Sequence, residues 1–293
     1  MARPQRQMVE PMNASFKEVV MSMVGTRFQR AITIRPQIIP PLKSPLRYPG
    51  GKSRGVKEII KYFPPEVDRV CAPFLGGGSV ELELVSRGVE VFGYDIFEPV
   101  VDFWQVLLKN PDKLANRVRK YYPLTRSKFY HFQKTFPKIK SQEQRAAIFF
   151  VLNRASFSGT TLSGGMSPHH PRFTPTAIDY LSRFKVEHFH VEKMDFKQSL
   201  AKHKEDFLYL DPPYLVESKL YGTNGDAHKD FDHEGLAEIL TKRKGWILSY
   251  NDCPKVRKLY DGHHMIKLEW AYGMNADKKS NELLILSKDF IQI

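Results

Sequence analysis

Between residues 67 and 108 the chain runs through a pattern that few folds accept. VDRVCAPF reads as a short apolar strand, GGG breaks it, and SVELELVSRG reads as a helix ended by Gly88. VEVFGYD then reads as a second strand and EPVVDFWQVLLKN as a second helix. Strand, glycine turn, helix, strand is the βαβ unit, which requires a parallel sheet covered by helices. The rhythm returns from residue 186. HFHVEKMDF leads to DFLYLDPPY, a buried-strand pattern stopped by Pro-Pro. FDHEGLAEILTKRKG follows as an amphipathic helix, WILSYND as a strand and NELLILSK as a late strand.

Residues 110–185 interrupt this rhythm. They are rich in Lys, Arg, Phe and Tyr; SQEQRAAIFFVLN carries a helix pattern, and SFSGTTLSGGMSPHHPRFTP reads as a long loop or irregular hairpin. A loop of that length inside a compact domain usually has a function. The expected organisation is a basic N-terminal extension over 1–40, with a short helix pattern at 13–24. A sheet domain follows over 41–112 and 186–293, split by an insertion over 113–185.

Lys and Arg exceed Asp and Glu enough to give a net charge of +13. Such a surplus suits a polyanionic partner, since each cation that neutralises a phosphate releases a counterion. Two cysteines, Cys71 and Cys253, make neither a metal-ligand spacing nor a disulfide framework, which fits a reducing interior. No apolar run approaches the roughly 20 residues needed to span a bilayer. No signal peptide is expected from the basic start. The chain is therefore expected to be soluble and intracellular, in cytoplasm or nucleoid.

The strongest chemical signal is DPPY, Asp211–Tyr214, at the end of the strand FLYL. Open α/β sheets bind ligands at the carboxyl ends of their strands. Asp211 supplies a carboxylate acceptor, and Pro212, lacking an N–H, offers only its carbonyl. Two acceptors can hold both N–H bonds of an amine and direct its lone pair outward. Tyr214 adds a face on which an extruded adenine could stack. The plain alternative is a strand end followed by a proline turn.

The glycine run in PFLGGGSVELEL, residues 73–84, lets backbone approach a ligand, and the next helix points its N-terminus there. Gly76 and Gly78 satisfy G-x-G, but Glu81 occupies the third glycine position of the dinucleotide fingerprint. An acid beside a pyrophosphate is unfavourable, so a nucleoside-like cofactor is expected. Asp95 ends the next strand, where an acid can accept from two ribose hydroxyls. RYPGGKS, residues 47–53, imitates the end of a phosphate-binding loop, but Leu46 stands where that motif needs its first glycine. ATP hydrolysis is rejected; the motif is either a tight turn or a cofactor contact through Tyr48 and Lys52. Asp195-Phe196 could accept from a purine amine and pack its ring, although such a pair is usually structural. His169 and His170 have no acid or Cys at ligand spacing, so no metal is expected. SFSG does not match the nucleophile elbow of a hydrolase.

In this order the elements resemble the Dam-like DNA adenine-N6 methyltransferases, the D12 class in its α-type arrangement. YPGGK is similar to the family's N-terminal cofactor motif and PFLGGGSVEL to its main cofactor loop. LNRASFSG, residues 152–159, is similar to the start of its target-reading segment, and DPPY to its catalytic motif. FDHEGLAEIL, LSYND and SNELLIL resemble its later motifs. The resemblance covers roughly residues 42–288. It implies S-adenosyl-L-methionine as cofactor, held at Tyr48, Lys52, Pro73, Phe74, Gly76, Gly78, Asp95, Asp195, Phe196 and Asp211. It implies catalysis at Asp211, Pro212, Pro213 and Tyr214, with DNA contacts at Asn153, Arg154, Phe157, Ser158, Thr160, Thr161 and Leu162.

Where relatives that methylate GATC carry a base-reading arginine, this chain has Leu162, which cannot make the bidentate contact to guanine. That counts against GATC; SFSGTTLSGG also resembles relatives that methylate CATG. Phe157 falls where the family has an aromatic able to wedge into the base stack, and the alternative for it is a core aromatic. The resemblance implies a seven-stranded, Rossmann-like methyltransferase domain with an inserted, mostly helical target-recognition domain. The expected partner is double-stranded DNA, and a cognate restriction endonuclease is a candidate second partner. Two other readings stay open: an adenine methyltransferase acting on RNA, and a DNA-binding protein that keeps the fold without catalysis. Intact Asp211, Pro212 and Tyr214 argue against the second.

Overall fold

Seven strands form one sheet in the order β3-β2-β1-β4-β5-β7-β6. They are β1 Arg69–Ala72, β2 Glu90–Asp95, β3 Phe189–Lys193, β4 Phe207–Leu210, β5 Trp246–Asn251, β6 His264–Leu268 and β7 Glu282–Leu286. β1 pairs in parallel with β2 and β4, β2 with β3, and β4 with β5. β7 runs antiparallel between β5 and β6. The chain leaves β1 toward β2 on one side, while β4 takes up the other. This reversal opens a crevice at the carboxyl ends of β1 and β4. The computed structural model describes residues 42–167, 172–215, 231–268 and 282–289, all within one unit, Ile38–Ile293. The N-terminal extension, the helix pattern at 13–24 and the pair His169 and His170 lie outside the described residues.

The central strands β1, β4, β5 and β7 are buried on both faces, as a sheet covered by helices requires. Tyr209, Ile247 and Leu284 point into one core, and Leu208, Leu248 and Leu283 into a second. The second core is closed by helices Phe196–Lys202, His233–Thr241 and Pro254–Leu259. β6 was not foreseen. Only Leu268 of HMIKL is buried, so this edge strand carries no apolar alternation to read.

Four α-helices lie between residues 111 and 182 among the described residues: Pro111–Arg119, Arg126–Thr135, Gln142–Ala155 and Pro175–Ser182. Each starts at a polar side chain that accepts a backbone N–H of the first turn, from Asn110, Thr125, Ser141 and Thr174 in turn. Leu114, Val118, Phe129, Phe150 and Leu181 from these helices bury themselves with Val91, Phe103 and Trp104 in one continuous core. Phe103 and Phe150 stack at 5.8 Å. The helices of 111–182 thus share the first core with the sheet.

Candidate functional site

The crevice at the sheet's switch point is a cleft of about 580 Å³, within the range of small-ligand sites. All ten residues expected at the cofactor line it: Tyr48, Lys52, Pro73, Phe74, Gly76, Gly78, Asp95, Asp195, Phe196 and Asp211. Pro212 and Pro213 line it too, whereas Tyr214 does not.

The glycine loop leaves β1 and turns into the helix Ser79–Ser86, with Gly78 left-handed at its N-cap. Gly76 is also left-handed (φ 45°), and a Cβ there would lie 2.9 Å from the Tyr48 ring. The glycines were expected to admit a ligand. They also admit Tyr48, which joins the two sequence motifs into one wall. Trp104 Nε1 donates to the Gly76 carbonyl at 3.0 Å from behind.

Asp95, at the end of β2, accepts from Gly76 N at 2.9 Å and from Phe97 N at 2.8 Å, one bond per oxygen. Burial pushes its carboxyl up to about 6, against the pull of those amides. Asp195 Oδ1 caps the helix Phe196–Lys202 by accepting from Lys197 N at 2.8 Å. Phe74, Phe196 and Phe231 pack with ring centroids 5.3–5.8 Å apart, making an apolar wall beside these acids.

Lys52 is buried. Its Nζ donates to Asp211 Oδ1 at 2.5 Å and to the Gly50 carbonyl at 3.1 Å, and lies 3.6 Å from Glu282 Oε1. Burial pushes the Asp211 carboxyl up, and the Lys52 ammonium pulls against it. Burial pushes Glu282 up to about 7, again against Lys52. Tyr214 donates its hydroxyl to Glu282, stacks on Tyr250 at 5.9 Å, and has Lys52 Nζ 4.9 Å from its ring centroid. Glu81, 3% exposed in the cleft wall, is pushed up to about 8 by burial.

The seven residues expected to touch DNA differ in exposure: two are exposed, two buried and three half-buried. Phe157 is 66% exposed and Ser158 is exposed, so Phe157 is not a core aromatic. Asn153 and Thr161 are buried and hold the loop from inside. Asn153 Oδ1 accepts from Arg47 N at 2.8 Å, while its Nδ2 donates to the Arg47 carbonyl at 2.7 Å and to Thr161 Oγ1 at 3.0 Å. Arg154 and Thr160 are half-buried, and Leu162 packs against the first core. The loop after Ala155 is ordered by a Ser156–Met166 bridge and by Gln133, which donates to the carbonyls of Thr161 and Gly164.

Residues 48–274 match the profile of the D12 class N6 adenine-specific DNA methyltransferases. The chain belongs to this family. It is 22% identical to the DNA adenine methylase of Haemophilus influenzae, over 80% of this chain and 89% of that protein. It is 21% identical to the type II methyltransferase M1.LlaDCHI of Lactococcus lactis subsp. cremoris, over 80% and 90%. The DNA N-6-adenine-methyltransferase of Escherichia phage P1 is 24% identical over 74% of this chain and 31% of its own. This D12 methyltransferase is thus an adenine-specific DNA-modifying enzyme.

Several cleft residues of the D12 enzyme escaped the sequence reading. Phe231 and Asp232 open the FDHEGLAEIL motif, but their place in the cleft wall is revealed only by the packing of the three phenylalanines. Ile96, 68% exposed beside Asp95, was signalled by nothing except its place after a strand-end acid. Glu282 lies beyond the matched span and reaches the site only through the pairing of β7.

Proposed function

We propose that this enzyme binds S-adenosyl-L-methionine in the switch-point cleft and methylates N6 of an adenine flipped out of duplex DNA. The observation that carries the cofactor assignment is the charge of the cleft. Its wall holds Asp95, Asp195, Asp211 and Asp232 against Lys52 and Lys197. Lys52 is committed to Asp211, and Lys197 to Asp232 at 2.7 Å. An acid-rich, partly apolar cleft repels phosphates and suits a nucleoside that carries net positive charge. Asp95 would take the ribose, and the Phe74–Phe196–Phe231 wall the purine. Tyr48 and the glycine loop would close the remaining side.

When bound, the cofactor supplies an electrophilic methyl on a sulfonium whose departure as a neutral thioether calls for no metal. Asp211 and the Pro212 carbonyl would accept hydrogen bonds from the two N6 hydrogens, favouring a tetrahedral nitrogen whose lone pair is free to attack; the N-methylated cation so formed then releases one proton to solvent. Pro213 stiffens the turn that carries them. Lys52 keeps Asp211 charged in spite of burial, so that it stays an acceptor. Tyr214 provides the stacking surface for the flipped base. Much of the rate comes from holding nitrogen and methyl in line.

The helical layer over 113–185 would serve as the target-recognition part, mounted on the catalytic segments 41–112 and 186–293. The exposed Phe157 and Ser158 would meet the duplex, with Asn153 and Thr161 shaping the loop behind them. Exposed Lys128, Lys134 and Lys138 would take phosphates. The relative M1.LlaDCHI bears a type II name, which makes a cognate restriction endonuclease a candidate partner. Incubation with unmethylated duplex DNA and single-stranded RNA in competition, followed by methylation-sensitive long-read sequencing, tests this reading. N6-methyladenine in one short duplex context is expected; methyl groups on RNA or on another base would overturn it.

A further inference from the structure

Asn251 closes β5 and Glu282 opens β7, and the two are register partners across that antiparallel pair. Both grip the DPPY turn. Asn251 accepts from Leu215 N and donates to the Leu215 carbonyl, each at 3.0 Å, so its amide mimics a strand partner for the residue after Tyr214. Glu282, 1% exposed, accepts the Tyr214 hydroxyl. Its carboxylate also lies 3.6 Å from the Lys52 ammonium that bonds Asp211. One rung of the sheet therefore holds the backbone beyond Tyr214 and the tip of its ring.

We propose that Asn251 and Glu282 are positioning residues that fix the Tyr214 ring for the target base. A tyrosine ring pinned only at its Cα could swing about χ1, and the base would be stacked in a range of attitudes. Fixing its far end through a buried acid removes that freedom before the base arrives, as preorganised sites do. A buried carboxylate is costly to keep unless its partners are in place. Here the partners are Tyr214 and Lys52, both within the candidate catalytic group. Glu282 touches neither base nor cofactor in this scheme and acts through Tyr214. The inference rests on reading Tyr214 as the base's stacking surface.

The test is steady-state methylation of unmethylated duplex genomic DNA with tritiated S-adenosyl-L-methionine. The full-length wild type is compared with Glu282→Gln, Tyr214→Phe, their double variant and Asn251→Ser. Glu282→Gln and Tyr214→Phe are each expected to lower kcat by about tenfold with both KM values within about threefold, the mark of an interaction made at the reacting geometry. The double variant is expected to be no slower than the slower single by more than about threefold, since Tyr214→Phe removes and Glu282→Gln weakens one and the same charge-assisted bond. Asn251→Ser is expected to lower kcat in the same way. Single variants with wild-type kcat, or losses that multiply in the double, would overturn the inference. If Glu282→Gln fails to fold, Tyr214→Phe decides alone: the tenfold loss at unchanged KM supports the pin, and wild-type kcat overturns it. A wild type that transfers no methyl to adenine would instead sink the assignment of the site itself.

Discussion

Lys52 Nζ lies 2.5 Å from Asp211 Oδ1, joining the YPGGK motif to the DPPY motif 159 residues later. Burial raises Asp211 and Lys52 lowers it, so removing Lys52 raises it further. A smaller fraction of Asp211 is then charged at any given pH, and the rate falls at a higher pH on the acidic side. Lys52→Met is expected to move the acidic limb of the kcat profile upward and to gain activity as pH rises where the wild type is already flat. It also leaves two acids buried without their cation, at a cost of about 3–5 kcal/mol. A pH–rate profile together with a thermal melt reads both effects.

Glu81 adds a pH dependence of stability. Its folded value is near 8 against an ordinary 4.5, so the folded state binds a proton that the unfolded state has lost. Stability from this group is therefore complete below about pH 4.5 and is lost as pH rises toward 8. Glu81→Gln is expected to melt with the wild type at pH 5 and above it at pH 8 to 9. Parallel melting curves across that range would mean that the carboxyl is solvated.

Much of this arrangement could be read along the chain because it is local. A strand end, a glycine loop and a following helix lie within one stretch, as do FLYL and DPPY. The roles of Asn251 and Glu282 could not be read, because they arise from the register of β5 on β7 and not from any spacing. The segment 113–185 was legible as helical and basic, but not as sharing its core with the sheet; that follows from the one core in which Phe149 and Phe150 join Val91 of β2 and Tyr209 of β4. The recognition loop showed the opposite failure. Asn153 and Thr161 look like DNA contacts in a polar string, yet both are buried and bonded to neighbouring segments.

Asn153 holds both backbone groups of Arg47, next to Tyr48 on the glycine loop. Asn153→Ala leaves two part-buried backbone groups of Arg47 without their partner and is expected to cost about 2 kcal/mol, the lower end of ~1–3 kcal/mol for each group left unsatisfied. It should also weaken S-adenosyl-L-methionine, because the Tyr48 segment loses its anchor. Denaturant unfolding and calorimetry measure the two effects separately.

Phe157 and Lys128 are exposed and should behave unlike Asn153. Phe157→Ala is expected to leave the melting temperature within about 2 °C of wild type, below the shift that ~1 kcal/mol produces, while sharply reducing methylation. Lys128→Gln is expected to weaken binding to all duplexes alike and to flatten the dependence of log K on log salt by about one unit. Filter binding at several salt concentrations, beside methylation assays, distinguishes a wedge from a phosphate contact.

The most direct measurement is the nucleoside content of DNA incubated with S-adenosyl-L-methionine and either the wild type or Asp211→Ala, read by mass spectrometry after enzymatic digestion. The wild type should leave N6-methyldeoxyadenosine. Asp211→Ala should leave less than about a thousandth as much, a loss of ~4 kcal/mol of barrier lowering, while DNA affinity stays nearly intact because phosphate contacts dominate it. Turnover by Asp211→Ala within about tenfold of wild type, only ~1.4 kcal/mol, would contradict the role given to Asp211 and the site built around it.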